Sequence, residues 1–296
     1  MAGPGSPYAV RAPSIPLGLS LEDLRALAEA ALKEDLGSGD LTTRLTVPEG
    51  QKARGTFINK QALVVAGLPV AWEVFQVLEP SIAWEPLVED GAEAGSGTRL
   101  AVVIGTAAAL LAGERVALNF LQRLSGIATL TRRLKAELAG LQVDLLDTRK
   151  TTPGLRSLEK YAVRVGGGRN HRQRLDDGIL IRNNHLRLAG GIRPAVESAC
   201  RRRLPGMLVE VEASDLAELD EAIAAGADAV LLDNMTSAEV RECVLRAAGE
   251  VRLEVSGGIN AANIRAYAET GVDSISVGAL THSAPAGDIH FLIEPL

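Results

Sequence analysis

Residues 224–234, A-A-G-A-D-A-V-L-L-D-N, and residues 269–279, E-T-G-V-D-S-I-S-V-G-A, share one pattern. In each, a helix would end at a glycine, Gly226 or Gly271, and a short apolar strand would follow. Glycine suits that place because the residue after a helix often adopts a left-handed conformation that a Cβ disfavours. A helix that turns tightly into a strand is the repeating element of α/β proteins. We therefore predict two successive units of a parallel sheet.

Apolar runs of four to six residues recur through the second half of the chain. They end at Asp147, Arg182, Glu212, Asp233, Ser256 and Gly278. Helical patterns separate most of them, which predicts a parallel sheet covered by helices, either a barrel or a doubly wound sheet. No G-x-G-x-x-G follows the strands, and the repeated unit length with polar strand ends favours a barrel. In that fold the active site lies at those strand ends.

The first half of the chain has a different pattern. Ser20 begins a capped helix whose apolar residues recur at 3.6 spacing. Residues 52–105 alternate strand-like runs with one helix, which is typical of a small α+β domain. A long amphipathic helix is predicted from about Ala107 to Leu138, with a break expected at Gly113 or at Ser125-Gly126.

Composition bounds the function. At 296 residues, 47% hydrophobic and 23% charged, the chain is typical of a globular protein with one or two domains. A net charge of −6 argues against a broad face for nucleic acid. No run approaches the roughly 20 apolar residues that span a bilayer, and no signal peptide is recognised. Cys200 and Cys243 lie in helical patterns without C-x-x-C spacing, which indicates reduced core thiols in a cytosolic protein and no zinc site.

Charge is distributed unevenly. Residues 147–187, which begin D-T-R-K-T-T-P-G-L-R, hold ten Lys and Arg against four acids. Such an excess of one sign indicates an anion site, or else chance clustering on an exposed loop. Glu212 and Asp233 end neighbouring strands opposite these cations, which suggests a divalent metal bridging to a phosphorylated substrate. Alternatively, both acids could serve as anions at helix N-termini.

Two glycine stretches complete the predicted rim. S-G-G-I-N at residues 256–260 runs into a helical A-A-N-I-R-A-Y, which would present backbone N–H groups and the positive end of a helix dipole. S-V-G-A-L-T at residues 276–281 lies one unit later. Consecutive late loops of this sort form the phosphate cup of many barrels. The alternative is two tight turns that need glycine for backbone reasons alone.

Several motifs occur in a fixed order: E-R-V-A-L-N-F-L-Q-R-L-S-G-I-A-T, D-T-R-K-T-T-P-G-L-R, E-K-Y-A-V, G-G-G-R-N-H-R, E-V-E, L-D-N, S-G-G-I and S-V-G-A-L-T-H-S. With the N-terminal E-D-L-G-S-G-D-L-T-T, the set resembles the quinolinate phosphoribosyltransferase family across most of the chain. The resemblance implies an N-terminal α/β sandwich domain joined to an incomplete α/β barrel, the type II phosphoribosyltransferase fold. We therefore expect a flexible lead-in over residues 1–19, the sandwich over 20–114, the barrel over 115–283, and a C-terminal segment over 284–296 that returns to the sandwich.

The resemblance also implies an activity. The family transfers phosphoribose from phosphoribosyl pyrophosphate to quinolinate with decarboxylation, and the products are nicotinate mononucleotide, CO2 and pyrophosphate, a step of NAD biosynthesis. It implies Mg²⁺ as cofactor and a cytoplasmic homodimer with a shared active site, alone or within a higher oligomer. Neither a nucleic acid nor a membrane is expected as a partner.

Site residues carried over from the resemblance fall into three sets. The dicarboxylate would be surrounded by Thr148, Arg149, Lys150, His171, Arg172 and Arg182, with Arg115 from the other subunit. The ribose hydroxyls and magnesium would lie beside Glu212, Asp233 and Asn234, with the metal held largely through substrate and water. The 5′-phosphate would be bound by Ser256, Gly257, Gly258, Val277, Gly278 and Ala279. The expected catalytic residues are Lys150, Glu212 and Asp233, with Lys150 assisting charge changes near the ring.

One motif departs from the family. The chain reads I-L-I-R-N-N-H where the family reads I-L-I-K-D-N-H or I-L-I-K-E-N-H, so Arg182 replaces a lysine and Asn183 an acid. The positive charge is kept, but a compact ammonium becomes a larger fork, which is not a neutral change.

Two other functions stay open. A family relative of the type associated with molybdate uptake loci would act on another acid, although T-T-P-G-L-R and N-H-R speak against it. A non-catalytic module could sense phosphoribosyl pyrophosphate or a nicotinate nucleotide. Loss of the metal-side carboxylates would mark such a module, and Glu212 and Asp233 are both present.

Overall fold

The structure, a computed structural model, describes residues 18–296, so all but the last two residues of the expected lead-in lie outside the described residues. The helices are α1 Leu21–Leu36, α2 Leu41–Thr46, α3 Leu68–Leu78, α4 Ala107–Glu137, α5 Arg156–Val165, α6 Asn183–Ala189, α7 Ile192–Arg202, α8 Leu216–Ala224, α9 Ser237–Ala247, α10 Ile264–Ala268 and α11 Ala279–His282. The strands are β1 Lys52–Asn59, β2 Leu63–Val64, β3 Ala83–Pro86, β4 Glu93–Ala94, β5 Arg99–Thr106, β6 Asp144–Leu146, β7 Ile179–Ile181, β8 Val209–Ala213, β9 Ala229–Asp233, β10 Arg252–Ser256, β11 Ser274–Ser276 and β12 Ile289–Pro295. Within residues 18–296, no helix has both the length and the hydropathy to cross a bilayer.

The chain divides into two compact units. The first contains the described residues up to Leu130 together with Ser157–Gly166 and Ala284–Leu296. The second contains Thr131–Arg156 and Gly167–Ser283.

The first unit is built on a four-stranded antiparallel sheet of order β12-β1-β5-β3. The C-terminal strand β12 pairs with β1 over seven residues, from Ala53 opposite Pro295 to Asn59 opposite Ile289. Its Phe291 packs on Phe57, with ring centroids 4.4 Å apart, in an aromatic cluster that also contains Phe75 and Trp84. Burial of these rings supplies much of the apolar surface that holds this sheet to its helices.

Helix α1 is capped by Ser20, as the sequence predicts. The Ser20 hydroxyl accepts a hydrogen bond from the Asp23 N–H, and the Asp23 carboxylate accepts one from the Ser20 N–H. This reciprocal capping box satisfies backbone donors that would otherwise lack partners. The helix ends before Gly37, whose φ of 51° lies in the left-handed region.

Helix α4 is continuous, so the expected break at Gly113 or Ser125-Gly126 is wrong. Both glycines allow close packing instead. A Cβ on Gly113 would lie 2.7 Å from the Phe75 ring, and one on Gly126 would overlap the Pro285 carbonyl oxygen. The absence of a side chain therefore lets two neighbouring segments approach the helix axis within the first unit.

The second unit is a six-stranded parallel sheet of order β6-β11-β10-β9-β8-β7. Its first strand pairs with its last and the others pair in chain order, which is the connectivity of a barrel and not of a doubly wound sheet. Arg169 extends the sheet beyond β6 through a parallel bridge with Leu146. Backbone pairing is interrupted between Arg169 and β7, so the barrel is incomplete, and the predicted fold class is confirmed.

The helix-to-strand turns also follow the prediction. Gly226 and Gly271 have φ values of 87° and 97°, in the left-handed region. The predicted burial of both cysteines is only partly confirmed. Cys243 is buried, but Cys200 is half-buried, with its Sγ 3.4 Å from the Gly226 carbonyl oxygen.

Gly126→Ala tests the packing of α4. Alanine normally stabilises a helix interior by about 1 kcal/mol relative to glycine. Here the Cβ would meet the backbone of Pro285, which cannot rotate away, so we expect a net destabilisation of about 1–3 kcal/mol. Chemical denaturation measures it, with Gly95→Ala as control because nothing lies within 4 Å of that position and its φ is unstrained. Stabilisation by Gly126→Ala would contradict the packing.

Candidate functional site

The parallel register of the second unit brings the predicted strand-end residues side by side. Asp233 at the end of β9 is level with Ser256 at the end of β10, and Ser256 is level with Ser276 in β11. Glu212 lies near the end of the adjacent strand β8, level with Leu231. The carboxyl ends of these strands therefore form one edge of the unit, as expected for parallel strands.

Three arginines share one region of this unit. Burial lowers the pKa of the Arg172 guanidinium, and the positive charges of Arg149 and Arg182 lower it further, against the opposing charges of Glu210 and Asp177. Arg149 is half-buried and its Nε has no hydrogen-bond partner. A cation whose charge is destabilised by two others indicates a place where an anion would bind.

Lys150 lies beside this cluster on the loop after β6. Its backbone N–H donates to Thr148 Oγ1 at 3.1 Å, and its carbonyl oxygen accepts from Thr281 Oγ1 at 2.8 Å. A Cβ on Gly278 would lie 3.0 Å from Lys150 Cδ, so the lysine stem passes over that glycine. The Lys150 side chain is exposed, so its ammonium is free to move toward negative charge at the strand-end edge.

Glu212 is held by a backbone donor at the start of helix α6, which follows the neighbouring strand β7. Its Oε2 accepts from the Asn183 N–H at 2.7 Å, at the N-terminus of α6. Burial raises the pKa of the Glu212 carboxyl and the Asp233 charge adds to this, while Asn183, Arg182 and His185 oppose it. The alternative interpretation of Glu212 as a helix anion is thus partly correct, but the helix is α6 and not the one that follows Glu212.

Asn234 joins the acidic loop to the first glycine loop. Its φ is 58°, its Nδ2 donates to Asp233 Oδ2 at 2.9 Å, and its N–H donates to the Ser256 carbonyl at 2.9 Å. A Cβ on Gly257 would overlap the Asn234 side chain. Glycine is therefore required at residue 257 both for its φ of 106° and for this close approach.

The expected helix after the first glycine loop begins later than predicted. Helix α10 starts at Ile264 and not at Ala261. Asn263 Nδ2 donates to the Gly258 carbonyl at 3.1 Å, and the Asn260 N–H donates to Asn263 Oδ1 at 2.8 Å. Asparagine side chains therefore shape this loop, and the dipole of a helix starting at residue 261 is not available to it.

The second glycine loop follows β11 directly. The Val277 N–H donates to the Leu146 carbonyl at 2.9 Å, which ties the loop to β6. Gly278 precedes the single turn of α11, which begins at Ala279. Both glycine loops thus lie at the same strand ends as Asp233.

A cluster inside the barrel was not predicted as a site. His171 Nε2 lies 3.1 Å from Glu210 Oε2 and 3.8 Å from Glu254 Oε2. The ligand-type atoms of these three residues lie within 4.8 Å of one another, the only such group of three found among the described residues. Burial, followed by the Glu210 charge, raises the pKa of the Glu254 carboxyl to about 7, while His171 opposes the rise. The two-residue period of strand β8 could have revealed this cluster, because Glu210 and Glu212 in V-E-V-E lie on the same face of the strand.

The side chain of His171 contacts this interior cluster, with Nε2 3.1 Å from Glu210 Oε2. The contact of His171 with a bound dicarboxylate, which the resemblance implies, stays a prediction. A cavity of about 640 Å³ lies beside His171, bordered by residues 170–173 and 177–179. Arg115, the residue expected to act across subunits, is exposed on α4 in the first unit.

Glu254→Gln tests the protonation of the interior cluster. Because the folded-state pKa is raised, the stabilising contribution of Glu254 is complete below its unfolded pKa and is lost as pH rises through about 7. Between pH 6 and 8 the melting temperature of the wild type should fall by about 3 °C more than that of Glu254→Gln. The exposed Glu250→Gln should follow the wild type. Parallel curves for wild type and Glu254→Gln would contradict the raised pKa.

Models of known protein families match most of the chain. The N-terminal domain of quinolinate phosphoribosyl transferase matches residues 40–125, and its C-terminal domain matches residues 127–292.

Individual relatives agree with this match. A probable nicotinate-nucleotide pyrophosphorylase [carboxylating] of Synechocystis sp. is 43% identical over 267 residues, covering 88% of this chain and 90% of the relative. The corresponding Bacillus subtilis protein is 43% identical over 268 residues, covering 90% and 92%. The solved nicotinate-nucleotide pyrophosphorylase of Francisella tularensis superposes with a TM-score of 0.89 at 40% identity, covering 93% of this chain and 98% of that one.

Proposed function

This chain belongs to the quinolinate phosphoribosyltransferase family, and we propose that it transfers phosphoribose from phosphoribosyl pyrophosphate to quinolinate and decarboxylates the product to nicotinate mononucleotide. The reaction releases CO2 and pyrophosphate and belongs to NAD biosynthesis. The observation that carries the proposal is the meeting of Arg172, whose pKa is lowered by burial and by Arg149 and Arg182, with Glu212 and Asp233 at one edge of the parallel sheet.

Quinolinate fits the cations by charge and by shape. Its two adjacent ring carboxylates would be bound by Arg149, Arg172 and Arg182, whose planar forks can each donate two parallel hydrogen bonds. The partnerless Nε of Arg149 is one donor that the substrate would satisfy. Thr148 fixes the backbone of the lysine beside them and so helps to define this half of the site.

Phosphoribosyl pyrophosphate fits the other half of the edge. Its 5′-phosphate would be bound by backbone N–H groups of the two glycine loops at residues 256–258 and 277–279, where the missing side chains permit close approach. Its ribose hydroxyls would be bound by Glu212 and Asp233, with Asn234 orienting the second carboxylate.

Magnesium fits the same carboxylates. Their oxygens are the ligands it prefers, and two carboxylates leave the remaining positions to water and substrate phosphates, as is usual for Mg²⁺. When bound by Glu212 and Asp233, largely through substrate and water, it would neutralise charge on the pyrophosphate leaving group.

The first step forms the bond between the pyridine nitrogen and C1′ of the ribose. As the C1′–O bond breaks, its electrons leave with pyrophosphate and C1′ acquires oxocarbenium character. Glu212 and Asp233 favour that positive charge electrostatically. Because burial and Asp233 raise the pKa of the Glu212 carboxyl, ionisation of Glu212 is complete only above the ordinary range of a glutamate.

The second step removes the 2-carboxylate. The ring nitrogen is cationic after alkylation, so the electron pair of the broken C2–carboxylate bond is stabilised at C2 while CO2 leaves. A proton then adds to C2. Lys150 is exposed beside the arginines. We assign to its ammonium the electrostatic stabilisation of the negative charge that develops near the ring during this step. Arg149 and Arg172 continue to hold the remaining 3-carboxylate.

The direct test is turnover of defined substrates. Purified protein with quinolinate, phosphoribosyl pyrophosphate and Mg²⁺ should release CO2 and nicotinate mononucleotide in equal amounts. Nicotinate in place of quinolinate should react poorly, because it lacks the second carboxylate that the arginines bind. Product from nicotinate or another acid, but none from quinolinate, would contradict the proposed substrate.

We further propose a cytoplasmic homodimer in which Arg115 completes the partner's site. Two cysteines that form no disulfide are consistent with a reducing compartment. Arg115→Ala and Arg149→Ala should each lower kcat/KM for quinolinate by about 100-fold, because each removes a charged contact. Mixed after subunit exchange, the two inactive proteins should recover about a quarter of wild-type activity, since a hybrid dimer keeps one intact site. No recovery despite confirmed exchange would contradict a shared site.

A further inference from the structure

The incomplete closure of the barrel leaves one segment of the site without a backbone ladder on one side. Residues 169–172 pair with β6 through Arg169, but no strand hydrogen-bonds to their other side among the described residues. The cavity of about 640 Å³ borders this gap and also the first residues of β9, β10 and β11. Arg172, one of the three arginines of the anion site, stands at the end of the segment. Its position must therefore depend on side-chain contacts.

Those contacts reach across the gap. His171 Nε2 is 3.1 Å from Glu210 Oε2 in β8, and Arg172 Nη1 donates to the Gly178 carbonyl at 2.9 Å just before β7. On the β6 side, the His171 N–H donates to Asp147 Oδ1 at 3.0 Å. We propose that Glu210, backed by Glu254, is a positioning residue for substrate binding, which holds His171 across the open side of the barrel and thereby fixes Arg172 for the carboxylates of quinolinate. This inference rests on the proposed function.

The hydrogen bonds of the imidazole define its protonation. The Arg172 N–H donates to His171 Nδ1 at 2.7 Å, so Nδ1 must carry a lone pair. The ring proton is then on Nε2, where it is donated to Glu210. His171 thus links β8 to the backbone of Arg172.

The same geometry argues against a metal ion in this cluster. A metal on Nε2 would require that nitrogen's lone pair and place a proton on Nδ1, facing the Arg172 N–H. Protonation of Glu254 reduces the negative charge of the cluster without a metal ion. Glu254 is 95% buried on its side chain and its Oε1 has no hydrogen-bond partner, while its raised pKa favours the neutral acid beside Glu210. Ser274 and Ser276 moderate that rise in pKa, but neither bonds to Oε1.

Steady-state kinetics separate positioning from simple structural support. Glu210→Ala should raise KM for quinolinate about tenfold, because His171 then no longer fixes the backbone of Arg172, while KM for phosphoribosyl pyrophosphate should change less than about twofold. Glu210→Gln keeps an oxygen that accepts from Nε2–H and should restore most of the affinity. Glu250→Ala serves as the exposed control. Unchanged quinolinate KM in Glu210→Ala, or an equal rise in Glu210→Gln, would overturn the proposal.

A second measurement does not depend on turnover. Nitrogen NMR of labelled protein, with His171→Gln to assign the signals, should give a protonated Nε2 and an unprotonated Nδ1 for His171 in the wild type. Glu210→Ala should broaden or shift these signals. A proton on Nδ1, or metal retained by the purified protein and lost in Glu210→Ala, would overturn the proposal. If the wild type lacked turnover with quinolinate but kept this tautomer, the proposed function would be wrong, while the contact of His171 with Glu210 would still be supported.

Discussion

Repulsion of Arg172 by Arg149 and Arg182 is the constraint on which the rest of the site depends. The fold brings three like charges together, and burial and its neighbours lower the pKa of Arg172. Such an arrangement destabilises the empty protein and is relieved when an anion binds. The parallel register of the barrel makes this unavoidable, because it brings the loops after successive strands to one edge. A dicarboxylate substrate is the natural complement of that edge.

Hydrogen bonds hold the carboxylates and the histidine of the site in place. The Asn183 N–H fixes Glu212, Asn234 fixes Asp233, and the interior Glu210 fixes His171. Asn183 stands where the family resemblance implies an acid. The contact with Glu212 is made by the backbone N–H of residue 183 and therefore does not need that acid. With Arg182 in place of the lysine and Asn183 in place of the acid, the strand-end edge still carries the positive charge of Arg182 and the negative charge of Glu212.

The sequence was sufficient where a local rule decides the structure. Gly226 and Gly271 marked helix ends because φ there is positive, and the polar strand ends marked the edge of the barrel. Sequence patterns failed where a segment distant along the chain determines the local structure. Pro285 packs against Gly126 of the continuous helix α4, and Glu210, 39 residues along the chain from His171, lies 3.1 Å from its imidazole. The approach of Pro285 to Gly126 has no signature in the local pattern of either segment, whereas the shared face of Glu210 and Glu212 in V-E-V-E is a signal for the interior cluster.

The claim that the arginines form a dicarboxylate receptor is tested most directly by binding without turnover. Calorimetric titration of the wild type with quinolinate and with nicotinate, in the absence of phosphoribosyl pyrophosphate, compares one carboxylate with two. We expect quinolinate to bind at least about tenfold more tightly than nicotinate, added salt to weaken quinolinate binding more than nicotinate binding, and Arg172→Ala to remove the difference in affinity. Equal affinities for the two acids, or an undiminished preference in Arg172→Ala, would contradict that claim.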